Sequence, residues 1–256
     1  MLEIQNLCKT FANAERPTLN GLNLYIPEAS FTCIVGASGC GKSTLLNLIA
    51  GLEQPSSGQI LLDGEAISGP GPDRVVMFQE AALFPWMSVE ENVCFGLDVK
   101  GLSKARQREI AGQYLDMVHL SRFKKYRIHQ LSGGMKQRVA LARALAMDSK
   151  ILLMDEPFSA LDKQTTNLLR DELAQIWQQT KKTIILITHS VEEAVFFADR
   201  VLFLSEETAN IAAEYKITLP RPRHIESPEF IHYRQKILQQ VQSEVRKIEQ
   251  AEEQAI

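Results

Sequence analysis

The chain has 256 residues, with 28 Lys and Arg against 31 Asp and Glu, and a formal net charge of −3. Its 45% of hydrophobic residues is close to the average for soluble globular proteins, and its length suits one large domain or a domain with a subdomain. The net charge gives no general attraction for nucleic acid. No apolar run approaches the roughly 18–20 residues of a membrane-spanning helix, and the N-terminus lacks the features of a signal peptide. We therefore expect a soluble, intracellular protein without a membrane crossing of its own.

Apolar patterns predict three strands and a helix at the start of the chain. Leu2 to Cys8 and Leu22 to Ile26 alternate apolar and polar side chains, as half-buried strands do. Phe31 to Val35 is a continuous apolar run, which is typical of a fully buried strand. After a glycine-rich turn, Ser43 to Ala50 has the pattern of a helix, which Gly51 ends.

Strand and helix patterns alternate through the rest of the chain. Further strand patterns cover Gln59–Leu62, Arg74–Gln79, Ile151–Met154 and Thr183–Ile187. Helical patterns cover residues 88–146 and about Lys163–Thr180. Because buried apolar strands that alternate with helices usually pair in parallel, we predict an α/β fold with a mostly parallel sheet and flanking helices. The helical block at residues 88–146 is predicted to be an inserted subdomain.

The C-terminal tail differs in character from the rest of the chain. It is introduced by Leu219-Pro220-Arg221-Pro222-Arg223, and an amphipathic helix is predicted beyond Ser227-Pro228. Basic and acidic residues balance in this tail, whereas a membrane-surface helix carries a basic excess. We expect the helix to pack on its own core or on a partner.

A phosphate-binding motif follows the first buried strand. It has the form G-x-x-x-x-G-K-[ST] and reads Gly36-Ala37-Ser38-Gly39-Cys40-Gly41-Lys42-Ser43. Glycines let main-chain N–H groups turn toward phosphate oxygens, and the following helix points the positive end of its dipole at them. Lys42 would supply a charge for the β- and γ-phosphates, and the Ser43 hydroxyl would bind Mg²⁺. The alternative is a glycine-rich turn with an incidental lysine.

Two adjacent carboxylates end a later strand pattern. Asp155 and Glu156 directly follow Ile151–Met154. A strand beside the phosphate-binding strand would place Asp155 near Mg²⁺, and Glu156 could then act as the general base for an attacking water. The alternative is a solvated strand terminus.

Three further segments complete a set that resembles a known family. They are Leu131-Ser132-Gly133-Gly134-Met135 at a helix start, the residues from Pro157 to Asp162, and Ile187-Thr188-His189 at a strand end. With the motifs above, they resemble the ATP-binding cassette (ABC) ATPases over about residues 2–205. The resemblance implies a P-loop NTPase core with an N-terminal antiparallel β portion, and ATP hydrolysis by two cassettes arranged head to tail. Residues 206–256 are then a C-terminal extension.

The resemblance also implies a role for each matching residue. Phe11 stands where the family stacks an aromatic ring, more often tyrosine, on adenine, and Met135 replaces the usual glutamine of the signature motif. The implied nucleotide-binding set is Phe11, Gly36, Ala37, Ser38, Gly39, Cys40, Gly41, Lys42, Ser43, Thr44, Ser132, Gly133, Gly134, Met135 and Asp162. The implied ligands of Mg²⁺ are Ser43, Gln79 and Asp155. The implied catalytic set is Glu156, His189, Gln79 and Lys42.

An apolar, aromatic segment from Leu83 to Met87 follows Gln79 closely. It suits a groove that holds a helix of a permease, and a buried loop of the helical subdomain is the alternative. This region and Leu219–Arg223 resemble the nitrate, sulfonate and taurine branch of bacterial importers, although residues 205–216 lack the Pro-Gly turn usual there. The resemblance implies a homodimer or paired cassette, separate permease subunits, an external substrate-binding protein, and a location at the cytoplasmic face of the inner membrane.

Other functions stay open at the level of sequence. The chain could serve another importer branch, or be a soluble ABC ATPase that acts on nucleic acid. Its acidic net charge makes nucleic acid an unexpected partner. A P-loop kinase is a third possibility, but it would leave the signature motif and His189 without a role.

Overall fold

The computed structural model describes the main chain of residues 1–12, 14–159 and 161–254, with the side chains of these residues up to 244 and of residue 246. The strands in this part of the chain are β1 (Leu2–Lys9), β2 (Leu19–Ile26), β3 (Phe31–Val35), β4 (Ser57–Leu62), β5 (Glu65–Ala66), β6 (Arg74–Met77), β7 (Ile151–Asp155), β8 (Thr183–Ile187), β9 (Arg200–Ser205) and β10 (Asn210–Lys216). The α-helices are α1 (Lys42–Ala50), α2 (Val89–Val99), α3 (Lys104–Met117), α4 (Gly133–Ala146), α5 (Lys163–Thr180), α6 (Val191–Phe197) and α7 (Pro228–Gln254).

The chain forms two compact units, Met1–Pro70 with Thr183–Ile256, and Gly71–Lys182. The first unit has an antiparallel sheet in the order β2-β1-β4-β5. It also has β3 in parallel between β8 and β9, with β10 antiparallel on the far side of β9. Every residue of β3 and β8 is buried, and the Phe31 ring stacks on Phe197 with centroids 5.1 Å apart. These two strands form the centre of the unit's core.

The second unit combines two parallel strands with helices. β6 pairs in parallel with β7, from Arg74 opposite Ile151 to Met77 opposite Met154. Helices α2, α3 and α4 pack on one another, and α4 also contacts α5 and β6. Ser88 begins α2 with a capping box, in which its side chain and that of Glu91 each accept a main-chain N–H.

The predicted fold class is confirmed. The structure has antiparallel strands at the N-terminus, parallel strands with flanking helices, and a helical block formed by α2–α4. The β6 strand ends at Met77, two residues before the predicted end, and β9 and β10 were not predicted. The tail helix α7 begins at the predicted place and packs on α6. Among the described residues, no helix is both long enough and apolar enough to cross a bilayer.

Candidate nucleotide-binding site

The predicted phosphate-binding loop connects β3 to α1. A side chain at Gly36 would place its Cβ 2.3 Å from the carbonyl oxygen of Leu204 in β9, so this position has room only for glycine. Gly41 precedes the helix with φ at 98°, in the left-handed region that glycine adopts without strain. The main chain of the loop is therefore fixed beside β9 at one end and at the start of α1 at the other.

The ammonium of Lys42 is held inside this loop. The side chain is 7% exposed, and its Nζ donates hydrogen bonds to the carbonyl oxygens of Ala37 at 2.6 Å and Gly36 at 3.1 Å. Its distance to the Cys40 Sγ is 3.8 Å. Burial raises the pKa of the Cys40 thiol, and the neighbouring ammonium acts against that rise. A positive charge at the N-terminus of a helix is suited to an anionic ligand such as a phosphate group.

Phe11 lies in the same unit with 42% of its surface exposed, as a ring that stacks on a base requires. One feature beneath it was not predicted. The Lys9 ammonium lies 4.8 Å from the ring centroid and is anchored by the Glu53 carboxylate at 2.9 Å and the Gln54 carbonyl at 2.8 Å. The anchoring of Lys9 has no sequence motif, because Glu53 and Gln54 are 44 and 45 residues away from it along the chain.

His189 follows β8 at the edge of the sheet where the phosphate-binding loop follows β3. The two strands are parallel neighbours, and the Thr188 N–H donates to the Ile34 carbonyl at 3.3 Å. His189 is exposed, and helix α6 begins directly after it with Ser190 as the N-cap. The Thr188 hydroxyl donates to the Glu193 carboxylate at 2.5 Å. The histidine is therefore placed between a buried strand and a capped helix.

The second unit brings Gln79 and the two carboxylates to one edge of its strands. Gln79 lies two residues beyond β6, and Asp155 is the last residue of the parallel neighbour β7. Glu156 has φ at 43°, and its carbonyl accepts hydrogen bonds from the N–H and the hydroxyl of Ser159. The turn after β7 thus has a defined conformation that starts at the residue expected to be the base.

The signature residues and Asp162 also come together. Ser132 caps α4, and its hydroxyl oxygen accepts the Met135 N–H at 3.3 Å. Gly134 packs so closely on α5 that a Cβ there would lie 2.3 Å from the Thr165 Cγ2. Asp162 caps α5, and the Thr165 hydroxyl, 2.6 Å away, holds the pKa of its carboxyl below the usual value.

The placement of the predicted site residues follows the division of the chain into units. Phe11, Gly36 to Thr44 and His189 belong to the first unit. Gln79, Ser132 to Met135, Asp155, Glu156 and Asp162 belong to the second. Ala160, in the segment that joins Glu156 to Asp162, lies outside the described residues.

The sequence model of the ABC transporter family matches residues 19–159. The nitrate import ATP-binding protein of Synechocystis is 50% identical over 221 residues, which are 86% of this chain and 83% of that protein. The chain belongs to the ABC transporter family. The bicarbonate transport ATP-binding protein of Synechococcus elongatus is 43% identical over 242 residues, 91% of this ABC chain and 87% of that protein.

Two solved structures extend the comparison. A dimeric ATP-binding cassette in a post-hydrolysis state, bound to ADP and Pi, is 33% identical with a TM-score of 0.74 over 86% of this chain and 100% of that one. CbiO1 of Clostridium perfringens, part of the ABC transporter complex cbiONQ, is 26% identical with a TM-score of 0.78 over 98% of both chains. This ABC chain is accordingly an ATPase.

The second unit of this ABC ATPase has an open groove of about 350 Å³. Its lining residues are Trp86, Met87, Glu91, Cys94, Phe95, Asp98, Lys104 and Gln107. Trp86 is 69% exposed, and the ring of Phe84 packs on it and on Phe95 with centroids 5.6 Å and 4.4 Å apart. The buried Asn92 side chain fixes Phe84 by bonding to both its N–H and its carbonyl. Two residues of the predicted permease-binding segment, Trp86 and Met87, therefore line a groove.

Proposed function

We propose that this chain is the ATP-hydrolysing subunit of an importer, in which two cassettes drive a separate permease. The observation that carries the proposal is the loop from Gly36 to Ser43, where the buried Lys42 ammonium lies at the N-terminus of α1. A charge and a helix end that are already close together reduce the reorganisation that binding a triphosphate requires. The dimeric, ADP-bound cassette with the same fold supports the pairing.

We propose that the residues predicted from the sequence serve ATP hydrolysis. Ser43, Gln79 and Asp155 offer hydroxyl, amide and carboxylate oxygens, the hard donors that suit Mg²⁺. Bound Mg²⁺ would neutralise charge on the β- and γ-phosphates. Glu156 would accept the proton of the attacking water, and His189 would hydrogen-bond the γ-phosphate. Ser132 and Gly134 would close the nucleotide from the opposite cassette and exclude water.

The groove beside Trp86 is proposed to hold a helix of the permease. An exposed tryptophan next to Met87 and Phe95 is the kind of apolar surface that protein interfaces bury. Trp86 packs on Phe84, five residues after Gln79, so that binding at the groove would reach the chain segment that follows Gln79. CbiO1, a neighbour in fold, belongs to a transporter complex. We propose that the chain works at the cytoplasmic face of the membrane.

The cargo is proposed to be a small anion. Two relatives with 50% and 43% identity are named for nitrate import and bicarbonate transport, and both ions are small, planar and singly charged. Sulfonates such as taurine are the further candidates from the resemblance. An external substrate-binding protein would deliver the anion. Residues 1–205 would form the cassette, with its helical subdomain at 88–146, and residues 206–256 the extension.

Hydrolysis is tested with the purified full chain. We expect Mg²⁺-dependent release of phosphate from ATP, which Lys42→Ala abolishes together with nucleotide binding, whereas Lys216→Ala, an exposed lysine in β10, leaves both unchanged. Wild-type turnover by the Lys42 variant would overturn the role of the loop.

The cargo is tested by expressing the chain with its neighbouring genes and measuring binding of nitrate, bicarbonate and taurine to the substrate-binding protein. Failure of all three would refute the small-anion class while leaving hydrolysis intact.

A further inference from the structure

The tail motif Leu219-Pro220-Arg221-Pro222-Arg223 has no part in the function proposed above, yet its second arginine is buried. Arg223 is 6% exposed. Its Nη1 donates hydrogen bonds to main-chain carbonyls at the C-terminal end of α6: Val195 at 2.6 Å, Phe196 at 3.2 Å and Ala198 at 2.7 Å. The last carbonyls of a helix have no partner within the helix, and here one guanidinium satisfies several of them.

The same guanidinium also fixes the strand end and the turn that lead to it. Its Nη2 donates to the Ile217 carbonyl at 3.4 Å and its Nε to the Leu219 carbonyl at 3.3 Å. Burial lowers the pKa of Arg223 to about 10, with the charge of Arg221 acting in the same direction and Asp199 opposing it. The group therefore stays charged at neutral pH, and a cation at a helix C-terminus is favoured by the helix dipole.

Arg221 fastens the same helix end to the central strand. Its Nη2 donates to the Phe197 carbonyl at 2.5 Å, and its Nη1 pairs with the Asp199 carboxylate at 2.8 Å. The other oxygen of Asp199 accepts the N–H of Phe31 at 2.9 Å. Phe31 is the first residue of β3, the strand that leads into the phosphate-binding loop. The C-terminal end of α6 is thus held at one point by two arginines of the tail.

The opposite end of α6 begins directly after His189. The helix has seven residues, so its two ends are only about 10 Å apart. Its N-terminal end is braced by Ser190, whose hydroxyl oxygen accepts the Glu193 N–H at 3.3 Å. A helix this short moves as one body, because shifting one end without the other would break its few internal hydrogen bonds.

We propose that Arg223 is a positioning residue for His189. By fixing α6 at its C-terminal end, it sets where the chain that leaves β8 holds the imidazole, without touching the nucleotide. The inference rests on the role proposed for His189 in ATP hydrolysis. The tail motif thereby contributes to ATP hydrolysis by its own chain.

The test compares steady-state ATP hydrolysis by four full-length variants with that of the wild type. Arg223→Met keeps much of the apolar stem but removes every donor, and we expect kcat to fall about tenfold while KM for ATP stays within about twofold. Arg223→Lys retains the charge but not the fork of donors and should recover part of the loss. Arg234→Met is the matched control, since it removes the partly buried ion pair of 3.5 Å that joins α7 to Glu192 of α6. His189→Ala gives the fall in kcat on complete loss of the imidazole, with which the fall in the Arg223 variants is compared.

A second readout separates positioning from stability. The ring signals of His189 in NMR spectra, assigned by their loss in His189→Ala, should shift in Arg223→Met below its thermal midpoint and stay in place in Arg234→Met. Unchanged kcat and unchanged His189 signals in a folded Arg223 variant would overturn the inference, as would a rise in KM at constant kcat. Should Arg223→Met not fold, Arg223→Lys and Arg221→Met give the same test. Normal hydrolysis by His189→Ala would instead overturn the function proposed for that residue.

Discussion

The side-chain amide of Gln137 donates a hydrogen bond to the main-chain carbonyl of Gln79 across 2.8 Å. Gln137 is buried in α4, the helix that begins at the signature motif, and Gln79 lies just beyond β6. Further along the same helix, Arg143 donates to the carbonyls of Ala81 and Ala82. Helix α4 therefore holds the main chain of residues 79–82 through side-chain hydrogen bonds. These bonds connect this segment to the helix that begins at the signature motif.

Gln137→Met should weaken this connection without leaving a cavity, because methionine fills a similar volume but cannot donate. A net hydrogen bond contributes about 1 kcal/mol, so we expect the free energy of unfolding in urea to fall by about that amount. Turnover of ATP should fall as well, since Gln79 loses its support. Gln175→Met, at an exposed position of α5, is the control and should change neither quantity. Equal unfolding free energies and equal turnover in the two variants would show that the hydrogen bond from Gln137 to Gln79 affects neither stability nor ATP hydrolysis.

Gly134→Ala should be disruptive where Gly133→Ala is tolerated. A Cβ at Gly134 would lie 2.3 Å from the Thr165 Cγ2, whereas one at Gly133 would meet the Leu161 Cδ2 at an ordinary 3.7 Å. Overpacking of this kind costs about 1–3 kcal/mol of stability. Thermal unfolding of both variants measures the difference.

A double variant tests the cause of that effect. Thr165→Ser removes the Cγ2 but keeps the hydroxyl that bonds to Asp162. Added to Gly134→Ala, it should restore most of the lost stability, and a double-mutant cycle gives the coupling between the two positions. Additive losses would mean that some other contact excludes a side chain at Gly134.

The buried strand, the glycine-rich loop and the helix around Lys42 could be predicted from the sequence, because phosphate chemistry fixes residue types at fixed spacing. Strand β9 was missed because a continuous apolar run does not distinguish a buried strand from a buried helix. The hydrogen bonds of Arg223 could not be predicted for another reason. Its partners are main-chain carbonyls, which have no residue identity, and the tail motif shows only that two arginines alternate with prolines.

Glu156→Gln should separate nucleotide binding from hydrolysis. The amide keeps the size of the carboxylate but cannot accept a proton from water, so we expect ATP to bind with near wild-type affinity and turnover to be lost. Unhydrolysed ATP should then hold two cassettes together, which size-exclusion chromatography with and without ATP detects. Glu65→Gln, at an exposed position in β5, serves as the control. Normal phosphate release by the Glu156 variant would refute its assignment as the base.

The stability of the fold should depend on pH through Cys33, a fully buried residue of β3. Burial raises the pKa of this thiol well above its usual value, with the nearby charge of Glu193 acting in the same direction. Above about pH 8.5 the unfolded chain loses the Cys33 proton while the folded chain keeps it. From this group alone, the free energy of unfolding should fall by up to about 1.4 kcal/mol per pH unit as the pH rises further.

Comparison with Cys33→Ala isolates this contribution. The variant is less stable than the wild type at pH 7, because it loses a buried sulfur, but its stability does not fall through a thiol at high pH. The difference in the free energy of unfolding between the two should therefore narrow by up to about 2 kcal/mol between pH 8 and pH 10 in urea unfolding. Ile34→Val is the matched control, since it trims the neighbouring buried residue of β3 and introduces no titrating group. Its gap to the wild type should stay constant over the same range. A constant gap for Cys33→Ala as well would mean that the thiolate is tolerated inside the folded core.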